Sequence, residues 1–345
     1  MIELFSKEEA NQYITAREGE TKLGESIIIP HGSLHETLAK FNGKYVILGV
    51  PEDIGPRANM GEKGARNAWP VFLNSFLNIQ HNEFIDPNEV LILGHLPVDD
   101  LLNTADQLDA NIPAELDRLR ELVSIVDERL TRVIKEIVSE NKIPIVIGGG
   151  HNNAYGLIEG TVAGKQKENE SVTSIGVINI DPHADLRALE KRHSGNAFSY
   201  ALEKELLKNY HVIGLHENYN SNAILDKFKK HSSNLSYTSF ETILDNNTPI
   251  SELVEEAVDK MNNNTFGIEL DFDSIEQLPS SAKTSSGWQV SEIRRFIRLL
   301  AKNKNIAYLH LTEAAPESVE KDLFLIGKII TFLVSDFVKI NSKLK

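Results

Sequence analysis

His151 follows three glycines, Gly148, Gly149 and Gly150. Asp181, His183 and Asp185 alternate along one short stretch, and Asp271 and Asp273 do the same along another. The donors are oxygen and imidazole with no sulfur, and the chain contains no cysteine. In an extended segment, side chains at i, i+2 and i+4 share a face. Asp181, His183 and Asp185 can therefore enter one cavity, as can Asp271 and Asp273. Carboxylates brought that close repel one another and titrate upward unless cations neutralise them. Two divalent ions match the charge of four aspartates, and oxygen and nitrogen donors favour Mn2+, with Fe2+, Co2+ or Zn2+ as alternatives. Two ions ~3.5–4 Å apart can share a water, lower its pKa and offer hydroxide to an electrophilic carbon. That chemistry is hydrolysis without a covalent intermediate. Each piece alone has a plainer reading. Asp-x-Asp also caps helices and forms turns, and a His after three glycines also suits a phosphate loop at a helix N-terminus. It is the combination that points to metal.

Strands must hold these groups. Short apolar runs occupy 45–50, 90–93, 143–147, 175–180, 211–215, 266–270 and 306–311. Runs of this length without strict alternation suit strands buried on both faces, as in a parallel sheet. The first chemical piece follows the run at 143–147, the second follows 175–180 and the third follows 266–270. Ligands gather at the carboxyl ends of strands in open α/β sheets, so the three pieces are expected in one crevice. Helical periodicity links the runs. From Glu115 to Ser139 the apolar positions Leu116, Leu119, Val123, Val126, Leu130, Val133 and Ile137 recur every three or four residues. Segments 290–301 and 318–338 behave alike, with Pro316 ahead of the second and Ser318 placed to cap it. Strand–helix alternation predicts a single α/β domain over 41–345 with helices on both faces. Residues 1–40 fit that alternation poorly and are expected to be an extension packed on the domain. The polar stretch 164–174 is expected to be an exposed loop.

Composition bounds the partners. The chain has 345 residues, and 36 Lys and Arg against 50 Asp and Glu leave a net charge of −14. That balance opposes nucleic acid and anionic membranes as partners and leaves a small molecule. No apolar run approaches the ~20 residues of a membrane span, and the charged N-terminus lacks a secretory core. A reducing, cytoplasmic setting is the expectation. A homo-oligomer is compatible with the sequence, which does not fix the oligomeric state.

The three motifs, in their order and spacing, resemble those of the ureohydrolase family, which includes arginase, agmatinase, guanidinobutyrase and formimidoylglutamase. The family's Gly-Gly-Asp-His, Asp-Ala-His-x-Asp and Asp-x-Asp are similar to 148–151, 181–185 and 271–273 here. ILGVPEDIGPRANMGEKGARNAW resembles the family's opening strand and Gly-rich segment, and Glu313 in LTEAAP resembles its late Glu-x-x-Pro. The resemblance implies an arginase-like three-layer α/β sandwich with a mostly parallel central sheet of about eight strands. It also implies two Mn2+-type ions on His151, Asp181, His183, Asp185, Asp271 and Asp273. Asp185 would hold the attacking hydroxide, and Glu313 would orient a cationic amidinium.

Departures from the pattern carry the substrate reading. Gly150 and Pro182 replace the family's Asp and Ala at positions that are not ligands. Ser194-Gly195-Asn196 follows Asp185 at arginase's spacing, but Ala197-Phe198 stands where arginase has His-Gly, so the proton-shuttling histidine is missing. His193 precedes Ser-Gly, and the shuttle role is not transferred to it. Arg187 in Asp-Leu-Arg resembles formimidoylglutamase, and a guanidinium there can grip a substrate carboxylate bidentately. Its plainer role is a pair with Glu190. Ser194 and Asn196 are expected at the substrate. Glu269 replaces a small residue and adds a carboxylate near the site, and the loop 276–287, with Glu276, is altered. The function implied is hydrolysis of a linear amidine, N-formimidoyl-L-glutamate plus water giving L-glutamate and formamide. Arginase or another guanidino-acid hydrolase is the rival, and a catalytically silent binding protein is the alternative of a different class.

Overall fold

Every run named above becomes a strand, and all of them join one sheet. The structure, a computed structural model, describes residues 2–167, 169–316 and 320–344. Its strands are β1 (Glu3–Leu4), β2 (Tyr45–Gly49), β3 (Val90–His95), β4 (Ile143–Ile147), β5 (Ile175–Ile180), β6 (Leu207–Leu215), β7 (Leu235–Ser239), β8 (Phe266–Asp271) and β9 (Ile306–Thr312). Their order is β1-β3-β2-β4-β9-β8-β5-β6-β7. Among the described residues eight strands run parallel and only β1 is antiparallel, on β3. Central strands such as β5 and β8 are buried along their whole length, as both-face coverage by helices requires. Apolar clusters lie on each face of the sheet. This is the arginase-like α/β sandwich.

Two strands escaped sequence reading. β1 is two residues long, and β7 (LSYTS) is an edge strand with burial only at its two ends. Residues before β2 pack on the same body: Phe5, Leu23 and Leu38 are buried, and Ile28 bridges Leu91.

The helices largely follow their periodicity. Pro113–Ser139 and Val290–Leu300 stand where expected, and Glu320–Asn341 is the last helix. Ser318 lies outside the described residues. The expected loop at 164–174 begins late, because Gly164 sits inside the helix Asn153–Gln166. Gly156, Gly160 and Gly164 recur at one-turn spacing and face the helix Pro113–Ser139. A Cβ on Gly160 would stand 2.7 Å from Ile134, and one on Gly164 2.7 Å from Val138. Those glycines allow two helices to approach closely, and that packing outweighs their poor helix propensity.

The four central strands β4, β9, β8 and β5 are neighbours, and they carry the chemistry. Ile147, Leu311, Leu270 and Ile180 are cross-strand partners in one row. Just past that row each strand releases its functional residues on the same side of the sheet.

Candidate functional site

Backbone conformation delivers the acids. Asp181 follows β5 directly, and its Oδ1 accepts from the His183 backbone N–H at 2.7 Å. The sequence expectation of an extended segment through Asp185 does not hold, since β5 ends at Ile180 and Asp185 has φ 48°. Asp185 reaches the cluster by a left-handed backbone turn instead. Glu313 is also left-handed, with φ 61°. Such conformations are costly for non-glycine residues and mark places where surroundings enforce a geometry. Asp271 ends β8 and caps the turn Phe272–Ser274, accepting from the Asp273 N–H at 2.7 Å. Its plain and chemical readings are therefore both realised. Gly148 and Gly149, at φ 84° and 76°, turn the chain sharply so that His151 re-enters the crevice. The buried Glu52 ties that loop down, accepting from Gly150 N and Asn153 Nδ2, each at 2.8 Å. Nothing in the sequence pattern singled out Glu52.

The acids meet at His151. Its Nδ1 lies 3.1 Å from Asp181 Oδ2, 2.9 Å from Asp185 Oδ2 and 3.1 Å from Asp271 Oδ2. That buried nitrogen has no satisfied hydrogen bond among the described residues, although three carboxylate oxygens stand within 3.1 Å of it. Bonds of ~2.1 Å place neighbouring octahedral ligands ~3 Å apart, which is the spacing seen. Once this nitrogen gives up its proton, its lone pair and the three carboxylates would fit a divalent cation. His151, Asp181, Asp185 and Asp271 form the candidate metal cluster among the described residues. His183 and Asp273 lie beyond Asp181: His183 Nδ1 is 3.4 Å from Asp181 Oδ1 and 3.8 Å from Asp273 Oδ2. The two oxygens of Asp181 thus face opposite imidazoles.

Titration reflects the crowding. Burial, and then the charges of Asp273 and Asp181, hold Asp271 well above the usual carboxylate range. Burial and Asp181 raise Asp185, and burial raises Asp273. Burial opposes a charged His183, but Asp181, Asp273 and Asp185 outweigh it and push this ring up to about 10. His151 is likewise raised by its carboxylates against burial. Without cations, protons keep the acids apart, which is the task metal would take over.

A cavity of about 360 Å³ opens onto the cluster. Its lining includes His183, Asp185, Asp271, Asp273, Ser281 and Glu313 about the cluster and Asn59, Arg187 and Ser194 toward the rim. Larger grooves beside the helix Glu320–Asn341 hold none of these residues. Glu313 Oε1 accepts from the His151 N–H at 2.6 Å, and its buried Oε2 has no hydrogen-bond partner among the described residues. Burial, then the charge of Asp273, pushes Glu313 up to about 8. The altered loop reaches the floor: Ala282 N donates to Asp273 Oδ1 at 2.9 Å, and Ser281 N donates to the Glu313 carbonyl at 3.2 Å.

At the rim the expected residues separate. Arg187 lines the cavity half-exposed, donating to Asn59 Oδ1 and, at 3.1 Å, to Glu190 Oε1. Ser194 lines it too, accepting from Asn59 Nδ2 at 3.2 Å. The structure does not bring Asn196 there. Its amide is spent within the loop, accepting from Arg192 Nη1 at 2.6 Å and the His193 N–H at 3.1 Å, and donating to the Ala188 and Lys191 carbonyls. His193 also stays outside, its Nδ1 accepting from the Gly195 N–H at 3.2 Å. Sequence reading missed Asn59, whose one amide contacts both Arg187 and Ser194. Its only signal was the Gly-rich segment that contains it.

Comparison with known proteins agrees with this geometry. The sequence profile of the arginase family matches residues 43–331. A formimidoylglutamase of Macrococcus caseolyticus is 26% identical over 291 residues, covering 84% of this chain and 83% of that protein. One from Chromobacterium violaceum is 25% identical over 282 residues, covering 79% and 80%. Among solved structures, formimidoylglutamase from Bacillus subtilis superimposes with a TM-score of 0.74 at 16% identity, covering 96% of this chain and 95% of that one. Trypanosoma cruzi formiminoglutamase with Mn2+ gives 0.71 at 17%, covering 94% and 99%. At such identities the structural likeness speaks for the fold, and the profile match speaks for descent. The chain belongs to the arginase family and is a metal-dependent amidino hydrolase.

Proposed function

We propose that the chain hydrolyses N-formimidoyl-L-glutamate to L-glutamate and formamide, using two divalent ions of the Mn2+ type. The carrying observation is the polarity of the cavity, with buried carboxylates at its floor and Arg187 at its rim. An amidinium is drawn to the floor and a carboxylate to the rim. His151, Asp181, Asp185 and Asp271 would hold one ion, and Asp181, His183 and Asp273 the other. Bound there, such ions supply Lewis acidity and a strong nucleophile from water at neutral pH. Water's oxygen becomes the formamide oxygen, the bond from the amidine carbon to the glutamate nitrogen breaks, and that nitrogen leaves as the amine.

The chain's own groups complete the chemistry. Glu313 lines the cavity, and its buried Oε2, without a hydrogen bond among the described residues, would accept an N–H of the amidinium, whose positive charge would in turn hold this carboxyl ionised. Asp185 lies where it can take a proton from the water and pass it to the departing nitrogen. Arg187 pairs with a glutamate carboxylate. Its present partner Glu190 is also well exposed, and such pairs are weak enough for a substrate carboxylate to replace. Ser194 adds a hydroxyl beside it. The formimidoylglutamases among the relatives support this substrate. The test is a Mn2+-loaded panel of formimidoylglutamate, arginine, agmatine and guanidinobutyrate, with formamide and urea measured alongside metal content. Faster turnover of agmatine or arginine would sink the assignment.

A further inference from the structure

Directly beneath the acids lies a second buried polar layer that the hydrolytic chemistry does not use. Val146, His310, Glu269 and Asn179 are cross-strand partners one residue below the row that releases the acids. Glu269 is fully buried on β8, the strand that carries Asp271. An isolated carboxylate there would be expensive, so its partners matter. Tyr308 donates its hydroxyl to Glu269 Oε1 at 2.8 Å, and His310 Nδ1 meets Oε2 at 2.5 Å. The tyrosine reaches it because its cross-strand partner is Gly267, where a Cβ would stand 2.1 Å from the ring. The same Oε2 is 3.5 Å from His151 Nε2, a nitrogen with no hydrogen-bond partner of its own. On another side of His151, the Phe198 ring meets it edge-on at 5.3 Å.

We propose that Glu269, braced by Tyr308 and His310, is a positioning residue for His151: it accepts the Nε2 proton of that ring and keeps the Nδ1 lone pair turned toward Asp181, Asp185 and Asp271. A neutral imidazole offers a lone pair at only one nitrogen, and the group facing the other decides which. Carboxylates behind ligating histidines play this part generally, fixing tautomer and ring angle. Here the carboxylate is itself fixed by two donors from the next strand. The brace is one-sided. It contacts His151 and leaves His183 to a different neighbour, the stacked ring of Tyr219 at 5.5 Å. One of two ions therefore depends on Glu269, and the other does not.

This inference rests on the two-ion reading, and one experiment separates them. The full chain, stripped of metal, is titrated with Mn2+ by chelator competition, beside Glu269→Gln, His310→Gln and Tyr308→Phe. Wild type should bind in two steps. Glu269→Gln should weaken one step by the ~10–100-fold typical of losing such a partner, with the other changed only a few-fold. Tyr308→Phe, which keeps the ring over Gly267, should shift the same step less, and His310→Gln should shift it too. These two variants carry the test if Glu269→Gln does not fold. Unchanged affinity in both steps overturns the brace, as does equal weakening of both. A lower melting temperature of the metal-free chain without any affinity change also overturns it, because that is a purely structural role. A wild-type chain that takes up fewer than two ions overturns the two-ion reading beneath it.

Discussion

The floor and the rim of the cavity are built on different principles. Floor groups stand within a few residues of four adjacent strand ends, are mostly buried, and are held by nearby backbone N–H groups. Rim groups come from loops, and Arg187 is half-exposed, held by one amide and one surface carboxylate. A floor set by sheet register can change little without moving the core. A rim set by side-chain contacts can be exchanged residue by residue. Hydrolytic chemistry therefore belongs to the fold, and substrate choice belongs to the loops.

The sharpest break between the two regions is a floor mutation. His183→Ala should cost more metal affinity than the ~10–100-fold of an outer partner, and activity should fall with it. Metal analysis and calorimetry decide this, and full metal retention would remove His183 from the floor. Next is the clamp that joins the rim loop to the body. Arg192 Nε meets Asp127 Oδ2 at 2.8 Å, Nη2 donates to the Asn152 carbonyl at 2.8 Å, and Tyr155 and Tyr200 each face the guanidinium at 5.0 Å. Both charges are buried. Arg192→Leu strands Asp127 and should cost ~3–5 kcal/mol in denaturant unfolding. A loss under ~1 kcal/mol would mean that water reaches the pair.

The sequence exposed the floor far better than the rim, for a physical reason. Strand-end ligands announce themselves by residue type after an apolar run: four of the six candidates form one cluster among the described residues, with His183 3.4 Å from Asp181 and Asp273 3.8 Å from His183. Their convergence does not follow from strand alternation alone, since the left-handed turn at Asp185 is a backbone property that spacing does not reveal. Rim roles depend on which way a polar side chain turns within a loop. Ser194 and Asn196 are two residues apart, yet one faces the cavity and the other stitches the loop to Arg192. Edge strand β7 and the buried Gly164 were missed similarly, because neighbours rather than local preference decide them.

Two kinetic variants sharpen the contrast. Glu313→Gln keeps a polar floor but can no longer ionise, whereas in the wild type a bound amidinium would hold the Glu313 carboxyl in its charged form. kcat/KM should fall on the order of 10²–10³-fold, the scale of losing one electrostatic partner of a transition state, with metal content retained. Full activity would take Glu313 out of the mechanism. Arg187→Ala should act more gently and differently. A charged hydrogen bond is worth ~1.5–3 kcal/mol, so KM for formimidoylglutamate should rise ~10–100-fold with kcat nearly unchanged. The same variant should narrow the preference over agmatine, whose terminal ammonium Arg187 would repel. A fall in kcat with KM constant would make Arg187 part of the chemistry and erase the division between floor and rim.

The smallest expected effect concerns His193, which sits in the rim loop but faces away from the cavity. Its Nδ1 accepts from Gly195, so the ring proton sits on Nε2, which meets Glu190 Oε1 at 3.2 Å. Burial, then the charges of Arg187, Arg120 and Arg192, holds its pKa down to about 3. In the unfolded chain the value is ~6.5. Between those values the unfolded chain takes up a proton that the folded chain refuses, so stability declines as pH drops below ~6.5. From about pH 7 to about pH 5.5 this ring should account for a loss on the order of 1 kcal/mol. Burial holds His211 down to about 4, and its loss has the same sign, so the informative quantity is wild type minus His193→Gln. Glutamine keeps an acceptor for Gly195 without titrating. The variant should unfold at nearly the wild-type denaturant concentration at pH 7 and lose less on acidification, with its pH–rate profile unchanged. A large drop in kcat with both ions bound would instead make His193 a proton carrier and place the missing shuttle on the rim.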